Sequence, residues 1–180
     1  MEGIHLWWIG ERGADPRLLE HVRSHLDRAF GLPVLLWRGT ERPREAYDPR
    51  RRQWSSTRIL AWLLEKGPRG GKVLAVTDTD LFIPILTFVF GEAQLGGDAA
   101  VVSTARLSDP PELGDGRVVR ERLAKEAVHE LGHAFGLTHC GTPGCVMSRS
   151  ASVRDVDLKR DDLCAACRAR LARPAERGPP

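Results

Sequence analysis

An α/β domain with a twisted, mostly parallel sheet is the fold class this sequence predicts, and three observations lead to it. Short apolar runs alternate with stretches that carry apolar residues at helical spacing, the signature of strand–helix–strand units. The longest helical stretch, from about Val118 to Gly136, ends in a group of histidines. Beyond those histidines lie all four cysteines, in two short-spaced pairs.

Taken in order, Ile4 to Ile9 (IHLWWI) is a continuous apolar run ending at Gly10, as expected of a buried strand with His5 an ordinary member. Asp15 and Pro16 open a helix, the aspartate as N-cap and the proline in the first helical position. Leu18, Leu19, Val22, Leu26 and Phe30 form its apolar stripe, and Gly31 stops it. His21 and His25 are four apart but lack a neighbouring acid and a third ligand, so they are expected on a solvated face. Pro33 to Trp37 (PVLLW) is a second strand. The polar connection after it has no strong period, and Arg50 to Arg52 read as a solvated charge run or a weak anion site.

Ser55 or Ser56 then caps a helix that turns Ile59, Leu60, Leu63 and Leu64 inward and ends at Gly67-Pro68. Lys72 to Thr77 (KVLAVT) is the central strand, and Asp78 and Asp80 at its end are turn and capping residues. Phe88 to Phe90, ending in Gly91-Glu92-Ala93, and Ala99 to Thr104 are two more strands, joined through the turn Gly96-Gly97-Asp98. Ser108 to Pro111 and Gly114 to Gly116 make a surface loop. The long helix offers Val119, Leu123, Ala127, Leu131, Ala134 and Phe135 to the core. Past Met147 the segment SRSASVRDVDLKR is polar, and Asp161 stands where it would cap a last helix bearing Cys164, Cys167 and Leu171.

Composition bounds what such a domain can be. A chain of 180 residues is long enough for one domain with a real core, and 42% hydrophobic with 28% charged residues is ordinary for a globular protein. The net charge of +3 and the pI near 8.9 come from arginine, since only four lysines are present. No long basic block interleaved with aromatics occurs, so a nucleic-acid partner is not expected. The most apolar stretch, LFIPILTFVF, is far short of the ~20 residues of a membrane span and contains Pro84. Met1 is followed by Glu2, and LWWI is too short for a signal-peptide core. A cytoplasmic protein that needs no membrane is expected.

The chemistry is concentrated between His129 and Cys167. His129 and His133, four apart, project from one face of a helix and suit one Zn²⁺ at ~2.0–2.1 Å from each ring. Glu130, beside the first, is placed to take a proton from a zinc-bound water. Gly136 allows a left-handed turn that brings His139 back to the same ion. Three imidazoles leave a fourth position open, the mark of a catalytic rather than a structural zinc. Cys140 and Cys145 are separated by four residues and Cys164 and Cys167 by two. That grouping suits a closed four-thiolate zinc site; two disulfides are the alternative and would need an oxidising compartment.

The long motif HExxHxxGxxH followed by a methionine turn, here Met147, is the metzincin pattern. Within that clan the sequence resembles the archaemetzincins, whose signature runs HExxHxxGxxHC-x4-C-x-M…C-x2-C, with no departure at a ligand position. The resemblance extends upstream to Tyr47, Asp48, Arg51, Gln53, Trp54 and Ser56, with Trp54 where tyrosine is usual, and to the stretch Asp80 to Leu107. It implies a metzincin-like zincin fold in which the long helix is the active-site helix and the segment Phe88–Gln94 is an antiparallel edge strand lining the cleft. It further implies a sheet-and-helix subdomain over 1–136 and a small C-terminal subdomain over 137–173, with 174–180 a flexible tail of the single catalytic domain.

The function expected is a zinc metallopeptidase acting on a peptide or protein, with two zinc ions per chain: one catalytic, on His129, His133 and His139, and one structural, on Cys140, Cys145, Cys164 and Cys167. Aminopeptidase action is implied by the resemblance alone, since no residue of the sequence identifies a binder for a free amine. A monomer is expected. The rival reading is a zinc-stabilised module that binds a peptide or protein without cutting it; Glu130 argues against it, because a scaffold needs no base beside its metal.

Overall fold

The computed structural model describes residues 3–108 and 116–172; the loop expected at 109–115 and the tail expected at 174–180 lie outside the described residues. In chain order the elements are β1 (Gly3–Trp8), α1 (Pro16–Phe30), β2 (Val34–Trp37), a 3₁₀ turn (Arg44–Ala46), β3 (Tyr47–Asp48), β4 (Gln53–Ser55), α2 (Ser56–Lys66), β5 (Gly71–Thr77), β6 (Leu81–Phe82), β7 (Gly91–Ala93), β8 (Ala99–Ser103), α3 (Gly116–Ala134), α4 (Val153–Leu158) and α5 (Ala165–Leu171).

The main sheet has the order β2-β1-β5-β8-β7. Its first four strands run parallel, with Leu6 opposite Leu74 and Leu74 opposite Ala100. The fifth, β7, is antiparallel to β8 and leaves its other side as a sheet edge. Alternation along β5 divides the interior in two. Leu74 and Val76 face α1 and α3, whereas Val73 and Ala75 face α2 with Ile59, Leu60 and Leu63. A central strand covered on both faces must read as a continuous apolar run, and KVLAVT does. A second sheet, β3-β4-β6, was not foreseen; it is too short to carry a periodic signal. Among the described residues no helix is long and apolar enough to cross a membrane.

The boundaries of α1 and α2 follow the expected caps. The Asp15 side chain accepts from the Arg17 amide, and Gly31 sits in the left-handed region at φ 64°. Ser55, rather than Ser56, caps α2. Other expectations need correction. Leu64 faces solvent instead of the core. His21 and His25 are half-buried rather than solvated: their rings lie 4.3 Å apart, His25 reaches Asp161, and His21 Nε2 is buried without a partner among the described residues. Arg51 is no free charge, since its guanidinium stacks on Phe82 at 4.1 Å and bonds the Leu86 carbonyl at 2.7 Å. In the apolar Phe88–Phe90 run Val89 bridges to Leu81 and the Phe90 carbonyl accepts from the Ser103 amide, but the ladder strand begins at Gly91. The polar segment after Met147 contains α4, closed by a Ser152–Asp155 capping box. Cys164, not Asp161, is the N-cap of α5.

Candidate active site

The chemistry is assembled on the last two turns of α3, which runs under the main sheet with Leu123, Ala127 and Leu131 in the core. Spacing along the helix puts His129 and His133 on one face. The helix then stops abruptly. Gly136, at φ 88°, donates to the His133 carbonyl while Leu137 donates to that of Gly132, a Schellman closure that reverses the chain. That reversal delivers His139 to the other two rings, with centroids 5.4 Å from His129 and 4.9 Å from His133. The three imidazoles each bring a nitrogen within 4.8 Å of the others.

Their tautomers follow from the backbone. His129 Nδ1 lies 2.8 Å from the Val146 carbonyl and His133 Nδ1 lies 2.7 Å from that of Leu137. A carbonyl only accepts, so both Nδ1 atoms carry the proton and both Nε2 atoms present lone pairs. Those two Nε2 atoms stand 3.1 Å apart. Two lone pairs aimed at each other with no proton between them repel unless a cation sits against both. Ligands at ~2.0–2.1 Å in a tetrahedral shell would be roughly 3.3 Å apart, so the donor set fits zinc. Burial, with the Lys159 ammonium second, pushes the His129 pKa well below its ordinary value, and burial lowers His133 and His139 too. The rings are thus held in the neutral form that binds metals.

Glu130 is buried beside the trio. Loss of solvent, then the nearby Glu126, pushes its carboxyl well above the usual range, with Glu92 adding and Lys159 opposing. Space for it exists because residue 91 lacks a side chain: a Cβ on Gly91 would fall 2.7 Å from Glu130 Cγ and 2.9 Å from its Oε1. Met147 is fully buried, and its sulfur packs against Gly132, between the two histidines of the helix.

The four cysteines converge on a second point. Sγ of Cys140 lies 3.8 Å from that of Cys164, and Cys145 is 3.8 Å from Cys167. These are the S···S separations, roughly 3.8 Å, of a tetrahedron with Zn–S of ~2.3 Å, and they are far longer than a disulfide bond. The Cys167 amide lowers the Cys164 thiol to about 6, whereas burial raises those of Cys145 and Cys167. The knuckle is tied to the first centre: the Cys140 amide donates to the Met147 carbonyl, and Val146, whose carbonyl receives His129, donates to Asp162.

A cavity of about 680 Å³ opens over the histidines, between β7 and the segment Arg149–Ala151. Its walls include Ile85, Leu86, Phe88 and Phe90, with Glu92, Glu126 and Ser150 as polar members. Every residue expected at a metal position is therefore brought to one of two clusters, in the groups expected. Sequence reasoning missed Glu92, Glu126 and Lys159. Glu126 was in principle visible as a charge at helical spacing from Leu123, on the face meant for the core.

Comparison with known proteins gives one consistent result. The family description "Peptidase family M54" matches residues 69–173. Archaemetzincin from Methanopyrus kandleri is 39% identical over 163 residues, 89% of this chain and 90% of that protein. Its crystal structure superposes with a TM-score of 0.83 at 36% identity, covering 94% of this chain and 93% of that one. The crystal structure of archaemetzincin from Archaeoglobus fulgidus complexed with malonate gives 0.80 at 36% identity, covering 93% and 98%. A zinc-dependent peptidase from Methanocorpusculum labreanum gives 0.81 at 31%, covering 94% and 100%.

Proposed function

The chain belongs to peptidase family M54, and on that premise we propose that it is a zinc metallopeptidase whose catalytic ion is held by His129, His133 and His139. The observation that carries this reading is the pair of unprotonated Nε2 atoms facing each other at 3.1 Å with His139 alongside, an arrangement that is favourable only around a cation. A bound zinc ion supplies a water acidified toward ~7 and a Lewis acid for the scissile carbonyl. Glu130 receives the proton of the attacking water and returns it to the leaving amine. Its burial strengthens it as a base. Met147 forms the apolar underside of the centre as the Met-turn of the clan.

The substrate lies along β7, whose outer edge is free to add a peptide strand, with Ile85, Leu86 and Phe88 receiving side chains. Aminopeptidase action requires an anion for the free amine. Glu92 supplies one: it lines the cavity, Thr57 Oγ1 lies 3.1 Å from both its oxygens, and it has no cationic partner among the described residues. A second, structural zinc on Cys140, Cys145, Cys164 and Cys167 holds a small C-terminal subdomain, 137–173, against the sheet-and-helix subdomain of 1–136. All groups of the site come from one chain, so a monomer suffices, and reduced thiolates suit the cytoplasm.

Glu130→Gln is the test, assayed on free and N-acetylated peptides. The variant should keep its full zinc content and lose about 10²–10⁴-fold in kcat, the usual worth of a positioned acid–base group. Hydrolysis at the wild-type rate with zinc still bound would overturn the mechanism.

A further inference from the structure

The floor of the cleft holds a buried charge pair that neither metal binding nor proton transfer uses. The side chains of Glu126 and Lys159 are only 3% and 1% exposed, and Lys159 Nζ donates to Glu126 Oε1 at 3.0 Å. Apolar residues of similar volume often replace such a pair with no loss of stability, so stability alone does not explain its presence. Its location does. Glu126 precedes His129 by three residues and Glu130 by four, which sets its carboxylate on the same helix face. The same Oε1 accepts from Ser150 Oγ at 3.3 Å, and Ser150 lines the cleft. Lys159 is the C-cap of α4, inside the stretch bracketed by the two cysteine pairs. Its Nζ comes within 3.3 Å of His129 Nδ1. The Nδ1 proton is already donated to Val146, so the ammonium braces the ring edge and does not donate into it.

We propose that the Glu126–Lys159 pair is a positioning element for the histidine centre, locking the cysteine-held segment onto α3 so that His129 presents Nε2 at a fixed angle. The inference rests on the reading of the three histidines as a metal centre. Val146 and Lys159 approach one ring nitrogen from a segment that begins and ends at the thiolate cluster, and Glu126 ties that segment back to the helix. Order imposed by the cysteines thereby reaches the histidines.

Co²⁺ is a suitable probe on the full chain, because a thiolate site and a histidine site differ in absorption. His139→Ala assigns the histidine bands in the wild-type protein. The variants are the apolar pair Glu126→Leu with Lys159→Met, and Lys159→Arg alone. The double variant should fold and keep its thiolate-site ion. Its histidine-site affinity, by chelator competition, should fall about 10–100-fold, with altered d–d bands, as for other outer partners of metal ligands. Lys159→Arg, which keeps the charge but not the point of contact, should show a smaller loss with the same spectral change. Wild-type affinity and spectrum in both variants would overturn the proposal; should the double variant fail to fold, an unchanged Lys159→Arg protein overturns it alone. A wild-type protein with no His139-dependent site would sink the metal reading itself, and this inference with it.

Discussion

At the scale of single residues, the site depends as much on an absent side chain as on those present. Gly91 sits on β7 where any Cβ would press on Glu130 and on the Val101 carbonyl, 2.6 Å away. Gly91→Ala should therefore shift the proposed base off its seat. A misplacement near 1 Å costs on the order of 10²-fold in rate, while overpacking costs about 1–3 kcal/mol in stability. Metal content should stay at the wild-type level, because no histidine is touched. Steady-state kinetics beside metal analysis checks this, and normal turnover would contradict it. In the sequence Gly91 resembles a strand terminator; only the antiparallel pairing of β7 with β8 sets it against α3. The histidines were legible because one helix and one turn fix them. Glu126 and Lys159 were not, being 33 residues apart and joined only by tertiary packing.

At the scale of elements, legibility tracked length and local chemistry. α1 has a periodic stripe with an Asp-Pro start and a glycine stop, and it forms as expected. α4 has six residues and buries only Val156, too little for a period to show, although Ser152 and Asp155 spell its capping box. The FVF run suggested a ladder strand, but the backbone bonds of the edge run from the Phe90 carbonyl to the Gln94 amide, following the free side of β8. α4 is anchored by Asp157, which accepts from Arg122 of α3 at 2.8 and 2.7 Å. Those bonds hold the Asp157 carboxyl below its ordinary value, against a smaller opposing effect of burial. A depressed folded-state pKa means that the stabilisation is complete above the unfolded value, ~3.9, and is lost as pH falls through the folded one. The stability gap between the wild-type protein and Asp157→Asn should thus be constant from about pH 5 to 7, where the carboxyl is ionised in both the folded and unfolded states. It should close below about pH 4 in denaturant titrations. A gap that widened in acid would show that the carboxylate is not the stabilising form.

At the scale of the whole molecule, the alternation of strands and helices was enough to predict the α/β class and the parallel core. It could not order the strands, because the sequence does not say which side of β1 each crossover returns to. The two halves also differ in what holds them. Among the described residues, two apolar clusters are built on the two faces of one sheet, and the segment after Gly136 adds only Leu137, Val146, Met147, Val156, Leu163 and cysteines to one of them. Such a segment has little apolar area of its own, and the four cysteine sulfurs that converge in it form a donor set that a cation would join. Removing the proposed cysteine-site zinc should therefore cost on the order of 10 kcal/mol locally, beyond what the remaining contacts can offset. Under reducing conditions, mild chelation should take the histidine-site ion first, abolishing hydrolysis while amide protection in 140–171 persists. Strong chelation should then erase that protection, and with it the ability of His129 to rebind metal, while β1, β5 and β8 stay protected. Hydrogen exchange followed along a chelator titration separates these steps. If the histidine site reloads normally after protection in 140–171 is gone, the two centres are independent, because Val146 and Lys159 would then have no part in shaping the first.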